Sequence, residues 1–255
     1  MQTAKLDATQ TKSKMLRRLV CSWNYEDRAR QEHGAMFISG TDEVGRGCMA
    51  GACFAAAVIL DRSIVIADDE IRDSKMLAPK KRERIAKEIM EDAVCYAVAS
   101  VDAATIDRIN IAEAAKLAML KAIAALDPQP DFLLVDGIRL DHQSPQFVIT
   151  HGDGVSFSIA AASILAKVAK NAEMMELAQL YPGYGFDSNM SYGTKEHLEA
   201  LNRLGPSPVH RRSFRPVREA AKPLARSYGA SSGSDDKHLE RNLIHDALVE
   251  IGRAI

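Results

Sequence analysis

An α/β protein built around one central sheet is the fold class this sequence predicts. Apolar runs of strand length alternate along the chain with segments of helical length, which argues against a sandwich or a bundle. The runs at 53–60 (CFAAAVIL) and 132–135 (FLLV) are continuously apolar, as strands buried on both faces are. Acidic residues stand beside glycines just after strand ends, where open α/β sheets bind ligands.

Each element follows in order. Residues 1–36 begin polar and turn basic, with Lys12, Lys14, Arg17, Arg18, Arg28 and Arg30 around Leu16, Leu19, Val20 and Trp23. This reads as an amphipathic arm with a positive face, or equally as a solvated surface helix. Residues 37–42 form a short strand that runs into glycines, and 53–60 the first buried strand. Asp73-Ser74-Lys75 precedes Pro79, which opens a charged helix to about Asp92, since proline is favourable in a first helical turn. Residues 95–101 alternate as a strand. An Ala-rich helix over 111–126 stops before Asp127-Pro128. The strand 132–135 ends at Asp136-Gly137, and 146–150 is a short edge strand. A long helix over 158–180 is ended by Tyr181-Pro182-Gly183, and another helix covers 194–204. Residues 230–234 (ASSGS) read as a flexible linker to a last amphipathic helix over about 235–254. That helix can dock on the body, pair with a protein partner or stay free, and it carries no evident docking motif for a partner such as a replication clamp. The expected domains are an arm (1–36), a main domain (37–229), and the linker with its helix (230–255).

Composition narrows the class. With 47% hydrophobic and 26% charged residues, the 255-residue chain is a globular protein able to bury a core without staples. Lys plus Arg is 33 against 34 Asp plus Glu, which excludes a uniformly cationic packer of nucleic acid but not a local basic groove. Arg203, Arg211, Arg212, Arg215, Arg218, Lys222 and Arg226 are set against only Glu219 in their stretch, and read as a solvated face or, with Lys80, Lys81 and the basic arm, as a surface that tracks phosphates. Binding through such a surface falls steeply with salt. Cys21, Cys48, Cys53 and Cys95 form no CxxC pair, so free thiols and a reducing cytoplasm are expected. His142, His151, His197 and His210 lack metal-ligand spacing and read as surface and substrate contacts. No apolar run reaches the roughly 18 residues of a membrane span, and the start lacks a signal peptide's apolar middle. A cytoplasmic protein with no membrane contact is the expectation.

Chemistry concentrates at two strand ends. Asp42-Glu43 closes one and Asp136 the other. A lone strand-end Asp is usually a turn former. Two such ends with three carboxylates point instead to a hard cation, because buried carboxylates need a partner and Mg²⁺ prefers oxygen. Two such ions about 4 Å apart can activate a water and stabilise the leaving oxygen of a phosphodiester. Gly45-Arg46-Gly47 adds a backbone that a ligand can approach closely, and a forked donor for phosphate or ribose oxygens.

The longer strings resemble bacterial ribonuclease HII. They are Gly40-Thr41-Asp42-Glu43-Val44-Gly45-Arg46-Gly47 with Ala50-Gly51, Asp73-Ser74-Lys75-Met76-Leu77, Val135-Asp136-Gly137 and Gly152-Asp153. The helix Ser158-Ile159-Ala160-Ala161-Ala162-Ser163-Ile164-Leu165-Ala166-Lys167-Val168 follows, then Tyr181-Pro182-Gly183-Tyr184-Gly185, Tyr192-Gly193-Thr194-Lys195-Glu196-His197, and Gly205-Pro206-Ser207 with His210-Arg211-Arg212-Ser213-Phe214. They occur in the family's order over roughly 37–217. The resemblance implies a ribonuclease H-like fold, with a mixed central sheet flanked by helices. It implies endonucleolytic cleavage of RNA-DNA hybrid, and of DNA duplex containing single ribonucleotides. The cut falls 5′ to the ribonucleotide and leaves 3′-hydroxyl and 5′-phosphate ends. Mg²⁺ or Mn²⁺ is implied, two ions at the site. Asp42, Glu43 and Asp136 match three of the family's four metal-binding acids. Gly45, Arg46 and Gly47 match the motif that senses the 2′-hydroxyl, and Tyr192 the residue that stacks on the following sugar. Lys75, Ser163 and Lys167 are candidate substrate contacts.

At the fourth acid stands Asn171. Ser163, Lys167 and Asn171 recur at i, i+4 and i+8 and so share one helix face. Asparagine offers an oxygen but no charge, and Glu173, two positions on, is turned roughly 200° around the helix. The change fits a substitution that traps substrate uncleaved, a naturally weak form, or a register one residue off; the first accounts for every other acid being kept. Strongly reduced turnover with binding retained is expected, and a catalytically inactive hybrid-binding protein is the alternative. The sister ribonuclease HIII shares the opening motif, but its separate N-terminal domain is not expected from an arm of this length. Cys48, Ala52, Cys53 and Ser191 depart from the family's usual prolines, aliphatic residue and glycine.

Overall fold

The computed structural model describes residues 20–63 and 77–221. In chain order the elements are α1 (Asn24–His33), β1 (Ile38–Val44), β2 (Cys53–Ile59), α2 (Pro79–Asp92), β3 (Cys95–Val101), α3 (Ala103–Ile109), α4 (Ile111–Ala124), β4 (Phe132–Asp136) and β5 (Gln146–Ile149). After these come α5 (Phe157–Leu180), α6 (Phe186–Asn189), α7 (Lys195–Leu204) and α8 (Arg215–Ala221). The strands form one mixed sheet in the order β3-β2-β1-β4-β5, with β1, β4 and β5 parallel. The expected α/β fold with its flanking helices is therefore present. The linker, the last helix, the start of the arm and Lys75 lie outside the described residues.

Local rules account for most boundaries. Every residue of β2 is buried, as its unbroken apolar run requires. Pro79 opens α2, whose Arg82, Ile85, Ala86 and Ile89 recur on one buried face. The helix α3 was not expected. Asp102 caps it by accepting from Thr105 N at 2.6 Å, and Asn110, at φ 69°, ends it and starts α4 through its own side chain. With Ile106 its one buried residue, α3 carries no readable apolar period.

The described chain folds as two compact units. The first holds residues through Val44, Ala55–Ala99 and Lys116–Val168; the second holds Gly45–Phe54, Ser100–Ala115 and residues from Ala169 on. In the first, Ala56 and Val58 of β2 pack with Ile85 and Ile89 of α2 and with Ala160–Ala166 of α5. A further cluster joins Ala29, Ile38, Phe132, Leu134 and Ile149. In the second, Met174, Leu177, Tyr184, Phe186, Leu201 and Val217 form the core. No helix among the described residues is long and apolar enough to cross a membrane.

Two contacts in the first unit set where α5 begins. Glu26 of α1 is buried and accepts from Ser156 Oγ at 2.7 Å and Ser158 N at 3.0 Å, so a carboxylate satisfies the helix N-terminus. The arm's described part therefore works through an acid. Its Arg28 pairs with Glu32, and its Arg30 with Asp27. Gly40 lies flush against the same helix start, where a Cβ would overlap the backbone of Ser158 and Ile159. Backbone cannot move aside as a side chain can. Gly40→Ala is expected to cost about 3 kcal/mol or more, the upper end of overpacking, read as a fall in urea midpoint.

Candidate active site

The parallel register of β1 and β4 pairs Thr41 with Val135, so the next position sets Asp42 beside Asp136. Neighbouring strands lie about 4.8 Å apart. Two carboxylates distant in sequence thus share one sheet end. Glu43 follows Asp42, and its amide donates to Asp42 Oδ1 at 2.7 Å. Asp136 Oδ1 accepts from Gly152 N at 2.7 Å. Ser163, one turn and a half into α5, donates to Asp42, and Asp153 is a further buried acid near it. Asp153 was not expected as part of this cluster, although its Gly152-Asp153 motif was visible.

The crowded carboxylates favour a bound proton or a cation. Burial pushes the Asp42 carboxyl well above its usual range, and the charges of Asp136 and Glu43 push it further, against the Ser163 hydrogen bond. An oxygen-only donor set suits Mg²⁺ or Mn²⁺. Among the described residues no three acidic, His or Cys side chains already converge as ligands of one ion. One oxygen of Asp136 is engaged by the Gly152 amide.

A pH dependence follows. A folded pKa raised above 3.8 means that the folded protein holds this proton more tightly than the unfolded chain. Metal-free stability therefore falls as pH rises from about 3.8 through the raised value. Added Mg²⁺ is expected to raise the melting temperature more at pH 7.5 than at pH 5, and Asp42→Asn to flatten both effects. Calorimetry across that range with and without Mg²⁺ checks it.

The second unit builds a different structure from the Gly45-Arg46-Gly47 segment. Gly45 and Gly51 adopt φ of 93° and 76°, which favour glycine. Arg46 and Gly47 are exposed, and a methyl at Gly47 would lie 3.6 Å from Tyr192 Cε1, so the half-exposed Tyr192 ring flanks the motif. The stretch after it is stitched to Ser191. Met49 N donates to Ser191 O at 2.7 Å, Ala50 N donates to Ser191 Oγ at 2.6 Å, and Ser191 Oγ donates to Ala50 O at 3.0 Å. Ser191 stands at φ 63°, which explains why glycine suits this place; its hydroxyl offsets the strain with two hydrogen bonds.

Arg211 holds the loop from within. It is fully buried and donates from Nε to Gly51 O at 3.0 Å, from Nη1 to Gly45 O at 2.7 Å and Arg46 O at 3.3 Å, and from Nη2 to Ala52 O at 3.0 Å. Burial lowers its pKa, yet a guanidinium keeps its charge in proteins. Glu173 answers from α5, accepting from Ala52 N at 2.8 Å and from the buried Lys170 Nζ at 3.0 Å. Both oxygens of Glu173 are thereby engaged away from the position of Asn171.

This corrects two readings. Arg211 does not belong to a phosphate-tracking surface, although Arg203, Arg212, Arg215 and Arg218 are exposed; Lys222 and Arg226 lie outside the described residues. His197 and His210 are buried rather than surface contacts, whereas His151 is exposed. The signal for all three was their place in quoted motifs, but charge and polarity alone suggested surface. Of the other expected residues, Lys167 is half-buried on α5. Asn171, two turns beyond Ser163 on the same helix, has a buried Oδ1 with no hydrogen-bond partner. A buried acceptor left unmatched costs about 1–3 kcal/mol and calls for a ligand or a strain explanation.

The ribonuclease HII family profile matches residues 39–217. Among curated relatives, the ribonuclease HII of Koribacter versatilis is 46% identical over 218 residues, covering 86% of this chain and 85% of that protein. The ribonuclease HII of Shouchella clausii is 50% identical over 202 residues, covering 79% and 77%. The crystal structure of ribonuclease H2 from Pyrococcus horikoshii superposes with a TM-score of 0.65 at 24% identity, covering 74% of this chain and 99% of that one; at that identity the likeness speaks for the fold.

Proposed function

The chain belongs to the ribonuclease HII family, a family of ribonucleases, and on that premise we propose that it cuts RNA-DNA hybrid and single ribonucleotides embedded in duplex DNA. The cut falls 5′ to the ribonucleotide and leaves 3′-hydroxyl and 5′-phosphate ends. The observation that carries this reading is the pairing of Asp42 with Asp136 at adjacent strand ends, beside Glu43 and Ser163.

Asp42, Glu43 and Asp136 are assigned as ligands of Mg²⁺ or Mn²⁺. When bound, the divalent ions supply Lewis acidity toward phosphate oxygen and a water of lowered pKa. The chain's own residues do the rest. Ser163 orients the Asp42 carboxylate through its hydrogen bond. Gly45, Arg46 and Gly47 offer amides and a guanidinium fork to the ribose 2′-hydroxyl and its phosphate, and Tyr192 offers a ring face to the next sugar. Lys167 and Lys75 are assigned to phosphate. Residues 37–229 form the catalytic region, and Asn171 in place of a fourth acid makes this sequence an impaired form.

The test is a duplex carrying one ribonucleotide, incubated with Mg²⁺ and with Mn²⁺, with product ends identified by mass. Slow cleavage at the ribonucleotide's 5′ side is expected. The unmatched Asn171 Oδ1 also favours a second reading, a ribonucleotide-binding protein without turnover. That reading predicts selective binding with no product. Neither cleavage nor preference over an all-deoxy duplex would sink both.

A further inference from the structure

We propose that His197 and His210 are positioning residues for Tyr192. A buried hydrogen-bonded relay through them fixes the Tyr192 backbone beside the Gly45-Arg46-Gly47 loop, and so sharpens discrimination of a ribonucleotide from plain DNA. The proposal rests on the reading of Tyr192 as the sugar-stacking residue.

The relay is continuous. His197 Nδ1 lies 3.0 Å from Tyr192 O, the two Nε2 atoms of His197 and His210 lie 3.1 Å apart, and Ser207 N donates to His210 Nδ1 at 3.0 Å. Its ends dictate the protons. A carbonyl only accepts, so His197 carries its hydrogen on Nδ1 and leaves Nε2 as an acceptor. A backbone N–H only donates, so His210 accepts at Nδ1 and carries its hydrogen on Nε2, pointing at His197. Ser207 Oγ, 2.7 Å from the same Nδ1, reinforces that end. Two neutral rings of opposite tautomer thus satisfy every donor and acceptor along the line. One more proton on either ring would face donor to donor. Burial lowers both pKa values, that of His210 to about 3, which keeps both rings neutral at physiological pH.

The surroundings make the relay directional. Both rings are at most 1% exposed and sit among Tyr184 and Phe186, with ring centres 4.9 Å apart for Tyr184 and His210 and 5.4 Å for Phe186 and His197. A low-dielectric box strengthens a fully satisfied chain of hydrogen bonds. Each end is tied to the loop region. The His210 backbone bridges antiparallel to Ala50, flanked by Gly51 N donating to Val209 O at 2.9 Å and Arg211 N donating to Met49 O at 2.8 Å. His197 is held by Thr194, whose side chain caps α7. The relay therefore spans from the Ala50–His210 bridge to the carbonyl of the residue whose ring flanks Gly47.

The test compares His197→Asn, whose amide can still reach Tyr192 O from the Nδ1 position, with His197→Gln and His197→Phe, which cannot. The readout is the ratio of dissociation constants for an all-deoxy duplex and the same duplex with one ribonucleotide, each variant's fold checked by urea midpoint. The Gln and Phe variants are expected to lower the ratio about tenfold, which is about 1.4 kcal/mol, and Asn, which regains the bond to Tyr192 O but not the one to His210, to recover only part of it. In a Tyr192→Ala background the Gln and Phe changes should have no further effect, as residues acting through one contact behave in a double-mutant cycle. If Phe does not fold, the Asn and Gln pair decides alone. An unchanged ratio in the Gln variant, or an equal loss with and without the Tyr192 ring, overturns the relay while leaving the stacking reading intact. A Tyr192→Ala protein with an unchanged ratio overturns both.

Discussion

Asn171→Asp is expected to raise cleavage of a single-ribonucleotide duplex by at least about 100-fold, the scale set by one missing electrostatic group at a reaction centre. On the proposed reading, the position has what a ligand needs except charge. Its Oδ1 is buried and meets no donor, and it lies on the α5 face that two turns earlier carries Ser163, the partner of Asp42. A carboxylate there would add the fourth negative charge, and cation affinity in oxygen sites rises with ligand charge. Glu173 does not supply it, because its oxygens are taken by Ala52 N and Lys170. Duplex affinity should change little, since the effect is on reacting atoms rather than on phosphate contacts. Single-turnover rates in Mg²⁺ and in Mn²⁺, before and after the change, measure it. Equal rates would mean that the fourth-acid position has been misassigned and that the low charge there is of no consequence.

Arg211→Met is expected to cost about 3–5 kcal/mol of stability, the range for removing one partner of a buried charged network. The buried carbonyls of Gly45, Gly51 and Ala52 and the partly buried one of Arg46 would lose their shared donor. Glu173 would lose a cationic neighbour. Arg211→Lys should recover little, because one ammonium cannot reproduce a planar fork that meets carbonyls on several sides. Arg212→Ala, at an exposed position one residue on, should shift the urea midpoint within experimental scatter. In those Arg211 variants that remain folded, preference for a ribonucleotide should fall, because the loop amides assigned to the 2′-hydroxyl are no longer held. Retained preference together with the stability loss would confine Arg211 to a structural role.

Several elements were legible because their causes are local. Pro79 and the apolar spacing after it define α2 without reference to anything distant. The unbroken run of β2 announces burial on both faces, and β5 is an edge strand as its short, half-exposed pattern suggests. The acids and the glycines of the site could be named for the same reason: a carboxylate beside a glycine at a strand end is a local oddity. The short helices were missed where one buried residue, such as Ile106, leaves no period to read.

The α/β class, the family and the candidate residues for charge and chemistry were readable in the sequence, since periodicity, caps and motifs are written within a few neighbouring positions. Only the tertiary structure decided which of them meet. The β1–β4 register that sets Asp42 beside Asp136 depends on strands far apart in the chain. Arg211 and the His197–His210 pair look like surface residues in one dimension. Arg211 is buried by carbonyls from a segment 166 residues back along the chain, and the two histidines, 13 residues apart, by rings and polar atoms folded around them; no local pattern encodes either.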